Sequence, residues 1–570
     1  MIKSTGYLRL FLFLAGCLLF IPFLGAVHLF DWDEINFAEC AREMITTGDY
    51  STAQINYFPF WEKPPLFIWM QVLSMKAFGI NEFAARFPNA LCGIATLLLV
   101  FNAGRKLYDN RFGLLWALAF AGSLLPHFYF KSGIIDPWFN LFIFYGVYRF
   151  ILYTNEPDRG SLLNRHILWS ALFIGLAVLT KGPVALLVFG LCFLVFRLIS
   201  RKAILSWKHF FLFSIVSLCL GGTWFLILYL QGRQSIITDF LLYQIRLFST
   251  GDADHGGPFY YHWVVLLIGC FPASVLAIRA FGKSDSDTPF QKHFRRWMLI
   301  LFWVVLLLFS IVKTKIVHYS SLCYFPLTFL AAHTAWKLIN GDITWKKWMT
   351  VLTLVTGGII GLLLTSIQFV VMFRKQIIAS GVIQDPFASA NLMADVHWTG
   401  WEFLIGILFL AGVIGCIIWV ARRQITYAVL ALFLLTLLST SLSSLVFAPR
   451  VEGYSQRAAI EFYESLKDSD CYVNVYGFKS YAQLFYTAKK PAACNNPSFL
   501  AHIERVNPGH KKMDAFTLEF YHSDWLAKDS TGKPVYMVAK INNKEEFMKG
   551  YPAFKLIGEK NGFVFFRKNP

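Results

Sequence analysis

Acidic and lysyl side chains are concentrated between residues 30 and 70, in a chain that is only 15% charged. In this stretch, Asp33 adjoins Glu34, and Glu62 adjoins Lys63. Carboxylates act as bases or stabilise positive charge, and a lysine ammonium binds phosphate. The pattern predicts a reaction site here. A solvated loop, or the cap of a following helix, explains Asp33 and Glu34 equally well.

Further polar residues lie at the ends of long apolar runs, where charge is uncommon in membrane proteins. Asp136 begins one run, Lys181 interrupts another, and Lys315 and Tyr319 lie between two more. Each lysine alone is explained by snorkelling to lipid headgroups. The sequence nevertheless predicts a second cationic patch, which holds anionic substrate groups through charge-assisted hydrogen bonds and consists of Lys181, Lys313, Lys315, His318 and Tyr319.

Glu62 and His255 have the side-chain types that ligate zinc. With water or a third residue they would complete a Zn²⁺ site, and a structural hydrogen bond or no contact at all is the alternative. The chain contains no P-loop, GxSxG, HExxH or CxxC pattern, so nucleotide-driven chemistry is unsupported. The sequence therefore predicts no required cofactor. The one bound ion that it allows is Zn²⁺ at Glu62 and His255.

The composition is that of a polytopic membrane protein. Of its 570 residues, 56% are hydrophobic and 18% are aromatic, and the mean hydropathy is +0.52. This apolar content exceeds what a soluble fold buries. The net charge of +18 arises from short Lys and Arg clusters between apolar runs. Such clusters are typical of cytoplasmic loops facing anionic lipid, so the charge does not indicate a nucleic-acid-binding surface.

Apolar runs of membrane length predict about thirteen transmembrane helices. If the N-terminus is cytoplasmic, nearly every short basic cluster falls on the cytoplasmic side, and the C-terminal tail lies outside. The predicted spans are residues 8–29, 83–103, 112–130, 136–153, 166–180, 182–199, 208–230, 262–281, 296–312, 317–337, 348–373, 400–421 and 425–447.

Two polar regions lie outside the membrane in this topology. The loop 30–82 has apolar residues at helical spacing, which predicts amphipathic helices along the membrane surface. Residues 448–570 alternate helical and strand-like runs, which predicts a small soluble α/β domain after a transmembrane domain of residues 1–447. In an extracytoplasmic tail, Cys471 and Cys494 are the two cysteines expected to pair.

Five motifs lie in the first 340 residues: DEINFAECAREM, WEKPPL, TKGP, the pattern H-x-x-PFYYHW-x-x-x-L-x-G-x-FP, and K-x-x-x-Y. Together they resemble the aminoarabinose transferase (ArnT) group of membrane glycosyltransferases, a class that includes protein O-mannosyltransferases. The resemblance implies an all-α GT-C membrane fold in a bacterial inner membrane, with a periplasmic C-terminal domain. It implies transfer of a sugar from undecaprenyl phosphate to a periplasmic acceptor such as a lipid A phosphate.

The resemblance also assigns roles to residues of this chain. Asp33 matches the catalytic acid of the first loop, with Glu34 beside it, and Asp136 matches a second acidic residue of the site. Lys63 matches the lysine that holds the carrier phosphate. The remaining matches are a metal-binding pair and two cavity residues, namely Glu62 with His255, and Lys181 with Tyr319.

Asn36 departs from the pattern, because the aminoarabinose transferases commonly have Arg in that slot. The missing cation leaves the sugar and the acceptor open, and transfer to Ser or Thr of a protein is one alternative. A lipid or sugar transporter or flippase is another, and it should show helices broken near the midplane. A scaffold acting through its soluble tail is the third.

The expected partners are membrane lipids, a polyprenyl-phosphate-linked sugar and a glycolipid or protein acceptor. No nucleic acid is expected as a partner, and the chain is expected to be a monomer.

Overall fold

The computed structural model describes residues 5–31, 33–156, 161, 163–200, 205–249, 256–282, 286–467, 469–491, 496–509 and 515–570. The helices in chain order are α1 (Thr5–Phe20), α2 (Asp33–Thr47), α3 (Leu66–Phe78), α4 (Glu82–Leu107), α5 (Asn110–Ala121), α6 (Leu124–Phe128), α7 (Asp136–Asn155), α8 (Arg165–Lys181), α9 (Val184–Ser200), α10 (Trp207–Gly221), α11 (Thr223–Leu230), α12 (Gln234–Ser249), α13 (Tyr261–Gly269), α14 (Ala273–Arg279), α15 (Pro289–Ile311), α16 (Tyr324–Ile339), α17 (Lys347–Met372), α18 (Arg374–Ala379), α19 (Pro386–Leu392), α20 (Leu404–Ala421), α21 (Ile425–Gly453), α22 (Arg457–Ser465), α23 (Ala482–Tyr486), α24 (Pro497–Val506), α25 (Ala515–Lys528) and α26 (Lys544–Gly550). The strands are β1 (Gln54–Ile55), β2 (Phe58–Pro59), β3 (Tyr472–Tyr476), β4 (Val535–Lys540), β5 (Lys555–Lys560) and β6 (Phe563–Lys568). Single 3₁₀ turns cover Tyr129–Lys131, Val317–Cys323 and Ile541–Asn543.

Long apolar helices make this a multi-pass membrane protein. Within the described chain, five helices are long and apolar enough to cross a membrane, namely α4, α15, α17, α20 and α21. Three bent pairs pass the same test together: α5 with residues 124–131, α10 with α11, and α13 with α14. Counting each bent pair as one span gives up to eight spans.

Helices occupy all thirteen segments in which the sequence predicts spans, but several of these segments are not single straight helices. The segments 112–130, 208–230 and 262–281 are bent by 84°, 50° and 107°. The first predicted span, 8–29, is helical only as far as Phe20. After it the backbone turns, and the carbonyls of Leu24 and Val27 accept hydrogen bonds from a buried arginine instead of continuing the helix.

A close backbone contact accounts for the bend after α5. A Cβ added at Gly122 would lie 2.6 Å from the Phe433 carbonyl oxygen on α21. Only a residue without a side chain permits that approach. Hydropathy alone does not reveal the bend, because the flanking residues stay apolar.

The helix α2 lies inside the protein. Every residue from Glu34 to Met44 is buried, against α3, β1 and α23. The expected one-faced helix on the membrane surface is therefore corrected to an internal element, because its polar residues are paired in the interior. Arg42, for example, donates to both oxygens of Glu39 at 2.7 and 2.6 Å.

The C-terminal residues form a four-stranded mixed sheet in the order β3-β4-β6-β5. Strand β3 runs parallel to β4, and β6 runs antiparallel to both β4 and β5. Strands β3, β4 and β6 lie at the strand-like runs of the tail sequence, residues 471–476, 534–538 and 562–566. Strand β5 was not predicted, because KLIGEK lacks alternating apolar residues and lies exposed at the sheet edge.

This C-terminal region is joined to the segment that precedes α2. The Leu29 N–H donates to the Tyr486 hydroxyl at 2.7 Å, and the Leu29 carbonyl accepts from Gln456 Nε2 at 2.7 Å. The Asp31 N–H donates to Gln456 Oε1 at 3.2 Å, and Asp31 Oδ1 accepts from the Tyr481 N–H at 3.3 Å. These bonds fix the chain immediately ahead of Asp33.

Candidate functional site

A cavity of about 1210 Å³ lies between the first loop, the membrane helices and the C-terminal domain. Its walls come from α2, the loop after β2, α12, the 3₁₀ turn Val317–Cys323 and the segment before α23. The charged and aromatic lining residues include six of the predicted site residues, namely Asp33, Glu34, Glu62, Lys63, Lys181 and Tyr319.

Asp33 stands at the first residue of α2 with its carboxylate open to the cavity. Its Oδ2 lies 3.1 Å from Nε2 of His318. Burial by itself would raise the pKa of Asp33, but the hydrogen bond and charge of His318, followed by the charges of Lys63 and Lys181, lower it to about 2. Asp33 is therefore a carboxylate that stays ionised at neutral pH.

Asp136 and Lys181 form a buried ion pair beside Asp33. Asp136 begins α7, and its Oδ1 accepts from Lys181 Nζ at 2.6 Å. Lys181 ends α8 because Gly182 follows at φ +97°, where a Cβ would lie 2.9 Å from the Phe240 ring. The Lys181 ammonium also lies 5.1 Å from the centre of the Tyr319 ring.

Lys63 lies in the loop between β2 and α3, at a cluster of cations and one aromatic ring. Its Nζ is 5.2 Å from the centre of the Tyr243 ring, and the Arg246 guanidinium is 5.3 Å from the same ring. Glu62 Oε2 accepts from the Tyr243 hydroxyl at 3.1 Å and lies 3.9 Å from Lys63 Nζ. Burial lowers the pKa of Lys63. The charge of Glu62 acts against this by raising the pKa, and the charge of Lys181 lowers it further.

Glu34 follows Asp33 on α2, and each of its carboxylate oxygens accepts two hydrogen bonds. Arg86 donates to it from Nε at 3.0 Å and from Nη2 at 2.8 Å. The backbone N–H groups of Phe30 and Gly133 donate at 2.9 and 2.5 Å. This environment suits a residue that positions the start of α2 better than one that exchanges protons.

The structure does not bring Lys315 into this group. Its ammonium donates to the carbonyls of Phe309, Ser310 and Val312 at 2.9, 2.7 and 2.5 Å, which closes the C-terminal end of α15. Lys315 is not among the residues that line the cavity. The expected substrate-binding role is corrected to helix capping, because the last carbonyls of α15 need donors.

Of the predicted metal pair, the structure describes Glu62 only. Glu62 is part of the Tyr243 and Lys63 cluster, and an ammonium 3.9 Å away fits poorly with a divalent cation. His255 lies outside the described residues. Among the residues that are described, no group of three His, Cys, Asp or Glu side chains is arranged for a metal. Cys494 is likewise outside them, so its pairing with Cys471 stays a prediction.

Arg246 was not singled out from the sequence, and His318 was named only as part of the second cationic patch and not as a partner of the carboxylates. The signal for His318 was its place beside Tyr319, but nothing in the sequence shows that three separate segments meet around its ring. Arg246 stands three residues after Tyr243 on α12, one helical turn away, so the same side of that helix carries both. The C-terminal domain also contributes Lys479 and Tyr481 to the cavity wall.

Comparison with known proteins matches this chain to membrane glycosyltransferases. Residues 62–226 match the family model described as dolichyl-phosphate-mannose-protein mannosyltransferase. Two curated relatives, both named undecaprenyl phosphate-alpha-4-amino-4-deoxy-L-arabinose arabinosyl transferase, come from Pectobacterium carotovorum and Enterobacter sp. strain 638. The first is 29% identical over 59% of this chain and 59% of its own length, and the second 30% identical over 60% and 62%. The alignments thus span about three fifths of these relatives.

The fold is shared with solved structures over the whole chain. The crystal structure of ArnT from Cupriavidus metallidurans bound to undecaprenyl phosphate superposes with a TM-score of 0.74 at 17% identity, and covers 100% of both chains. The archaeal oligosaccharyltransferase AglB from Archaeoglobus fulgidus gives a TM-score of 0.52 at 11% identity, covering 100% of this chain and 75% of its own. The predicted resemblance is confirmed: this chain is similar in sequence to the aminoarabinose arabinosyl transferases and, over residues 62–226, to the mannosyltransferase family, and it shares its fold with ArnT.

Proposed function

We propose that this protein transfers a sugar from an undecaprenyl phosphate carrier to an acceptor at the outer face of a bacterial inner membrane. One observation carries the proposal: Asp33, Lys63, Lys181 and His318 line a single cavity, and the buried Asp136 pairs with Lys181 and lies in contact with His318. Group transfer from a lipid phosphate needs cations for the leaving group and anions for the sugar.

The phosphate of the carrier binds at Lys63 and Arg246. Both cations lie beside the Tyr243 ring, at 5.2 and 5.3 Å from its centre, and both line the cavity. The leaving group departs with the electrons of its bond to the anomeric carbon, and these two cations stabilise the charge that develops on it. Burial lowers the pKa of Lys63, and a bound phosphate would restore it.

The sugar is placed against Asp33. A carboxylate whose pKa is held at about 2 is a weak base, so its main contribution is electrostatic. It steadies the positive charge that develops at the anomeric carbon as the phosphate leaves. Glu34, bound by Arg86, positions the start of α2 and hence Asp33.

The acceptor we propose is a phosphate of a lipid A-like glycolipid, with aminoarabinose as the sugar. The names of the curated relatives support the sugar, and the weak basicity of Asp33 supports an acceptor that is already ionised. A protein hydroxyl is the second candidate, and the family match over residues 62–226 favours it. A hydroxyl acceptor must lose a proton, and Asp33 would then have to receive it.

We further propose the complete topology: about thirteen spans, a cytoplasmic N-terminus, and residues 448–570 as a periplasmic domain. Basic clusters between the helical segments support it. Lys479 and Tyr481 in the cavity wall support a tail that lies on the same side of the membrane as the first loop. A divalent ion at Glu62 and His255 stays a prediction, and no step of this mechanism depends on it.

The test is transfer in vitro from radiolabelled undecaprenyl-phosphate sugars to lipid A or to Ser/Thr peptides. The variant Asp33→Asn should lose about 100- to 1000-fold in rate, as removal of one preorganised electrostatic group does. Asp342→Asn, at an exposed acid outside the cavity lining, is the matched control and should retain full activity. Equal transfer by Asp33→Asn would remove Asp33 from the mechanism. No transfer from any lipid-linked donor by the wild type would favour a transporter, a reading to which the three bent helix pairs lend some support.

A further inference from the structure

The 3₁₀ turn Val317–Cys323 is anchored so that His318 faces the cavity. Ser321 Oγ donates to the His318 carbonyl at 2.5 Å and accepts from Asn140 Nδ2 at 2.7 Å. The next serine, Ser320, lies with its Oγ 3.1 Å from Nδ1 of His262. The turn is therefore tied to both α7 and α13.

The anchor on α7 is one helical turn after Asp136. Residues four apart on a helix share a face, so Asn140 and Asp136 point to the same side. Because Asn140 holds the backbone of His318 through Ser321, the helix that presents the second carboxylate also sets the place of the imidazole.

The imidazole stands between the two carboxylates of the site. His318 Nε2 is 3.1 Å from Asp33 Oδ2 and 3.6 Å from Asp136 Oδ2. An ionised carboxylate only accepts hydrogen bonds, so Nε2 is assigned the hydrogen. This nitrogen then donates to Asp33, its 3.6 Å contact with Asp136 is electrostatic only, and it does not take a proton from the acceptor.

Two carboxylates that share one small space oppose each other's ionisation. Lys181 pairs with Asp136 Oδ1, and the charges of Lys63 and Lys181 act on Asp33. In the described chain, His318 makes an ion-pair contact with both acids. Against the effect of burial, its hydrogen bond and charge are the largest influences that lower the pKa of Asp33.

We propose that His318 is a positioning residue of the reaction centre, which bridges Asp33 and Asp136 and keeps the Asp33 carboxylate ionised and in place during sugar transfer. This inference rests on the proposed function, since it concerns how two negative charges face the positive charge developing on the sugar. Without the bridge, Asp33 takes up a proton at higher pH than in the wild type, and the site loses that negative charge.

Transfer kinetics across a pH series test the bridge with His318→Leu, His318→Gln and the control His397→Gln, at an exposed histidine outside the cavity lining. In His318→Leu, we expect kcat to fall by about 10- to 100-fold, as when a hydrogen bond to a charged group is lost. We expect the acidic limb of the pH profile of this variant to move up by about one pH unit, since Asp33 loses the partner that lowers its pKa. His318→Gln keeps an N–H donor and should retain more activity than His318→Leu.

Binding of undecaprenyl phosphate separates this role from a loss of folding. Lys63 and Arg246 are unchanged in all three variants, so Kd should stay within about twofold of the wild-type value. A residue that serves only the fold would lower the yield of binding-competent protein and leave the acidic limb where the wild type has it.

A second measurement needs no activity. The ¹⁵N resonances of the His318 imidazole, assigned by their absence in His318→Gln, should shift in Asp33→Asn and again in Asp136→Asn. An unmoved acidic limb in His318→Leu, or a resonance that responds to neither Asp variant, overturns the proposal. A wild type that transfers no sugar refutes the proposed function instead, and the resonances still decide whether the bridge exists.

Discussion

Removing the Arg86 guanidinium should destabilise the fold by about 3–5 kcal/mol, because it leaves the Glu34 carboxylate buried without its countercharge. The two side chains are 5% and 6% exposed and joined by two hydrogen bonds of 3.0 and 2.8 Å. Arg86 also donates to the carbonyls of Leu24, Val27 and His28 at 2.8, 2.7 and 2.9 Å. The same arginine thus holds both the start of α2 and the turn after α1.

The measurement is the free energy of unfolding in mixed micelles for Arg86→Leu, Glu34→Leu and the double variant. Each single change strands one buried charge, whereas the double variant strands none. The double variant should therefore lose less than the summed losses of the single variants, by about 2–3 kcal/mol. Lys106→Leu, at an exposed cation on the same helix, is the matched control and should stay within about 0.5 kcal/mol of the wild type.

Additive losses would refute this reasoning. If the double variant falls by the sum of the two single variants to within about 0.5 kcal/mol, Arg86 and Glu34 act independently, and the pair does not hold α2 in place. A loss in Arg86→Leu no larger than that of Lys106→Leu would have the same meaning.

Two further predictions concern the carrier phosphate and the junction with the tail. Lys63→Met should weaken the binding of undecaprenyl phosphate by about 10- to 100-fold. Lys315→Met should leave the Kd unchanged, because the Lys315 ammonium caps α15. Equal effects of the two changes would contradict the assignment of Lys63 to the phosphate. The pKa of His28 is raised from 6.5, because its hydrogen bond to Glu452, 2.8 Å long, and the charge of Glu452 outweigh burial. A raised pKa gives stability that is complete below pH 6.5 and is lost as the pH rises through the folded value. As the pH rises above 6.5, the unfolding midpoint of the wild type should therefore fall more than that of His28→Gln. Midpoints that change in parallel with pH in the two proteins would exclude the effect.

The sequence predicted the elements whose cause is local. Apolar runs of membrane length marked where helices form, and each of the thirteen marked segments contains at least one. Charged residues at the ends of those runs indicated which side chains meet, and Asp33, Lys63 and Lys181 line one cavity. An unpaired charge is costly inside a membrane protein, so a charged residue at the end of an apolar run indicates a functional position from the sequence alone.

The sequence could not predict features that depend on contacts between distant segments. His318 bridges two acids that are 103 residues apart, and no local pattern marks a histidine for that place. Glu34 and Asp33 are adjacent and look equivalent, but Arg86 on α4 binds only Glu34. Lys315 was predicted to bind substrate, but its partners are three backbone carbonyls. Every residue has a backbone carbonyl, so the sequence does not indicate these partners.

The bonds from Leu29 and Asp31 to Tyr486 and Tyr481 have a consequence for biosynthesis. They join residues that are 457 and 450 positions apart, so one partner emerges from the ribosome long before the other is made. The first loop is made early, yet the cavity wall beside Asp33 is incomplete until Tyr481 has been synthesised. A nascent chain consequently carries Asp33 and Lys63 without the part of the wall that the tail supplies, and the cavity is complete only near the end of translation.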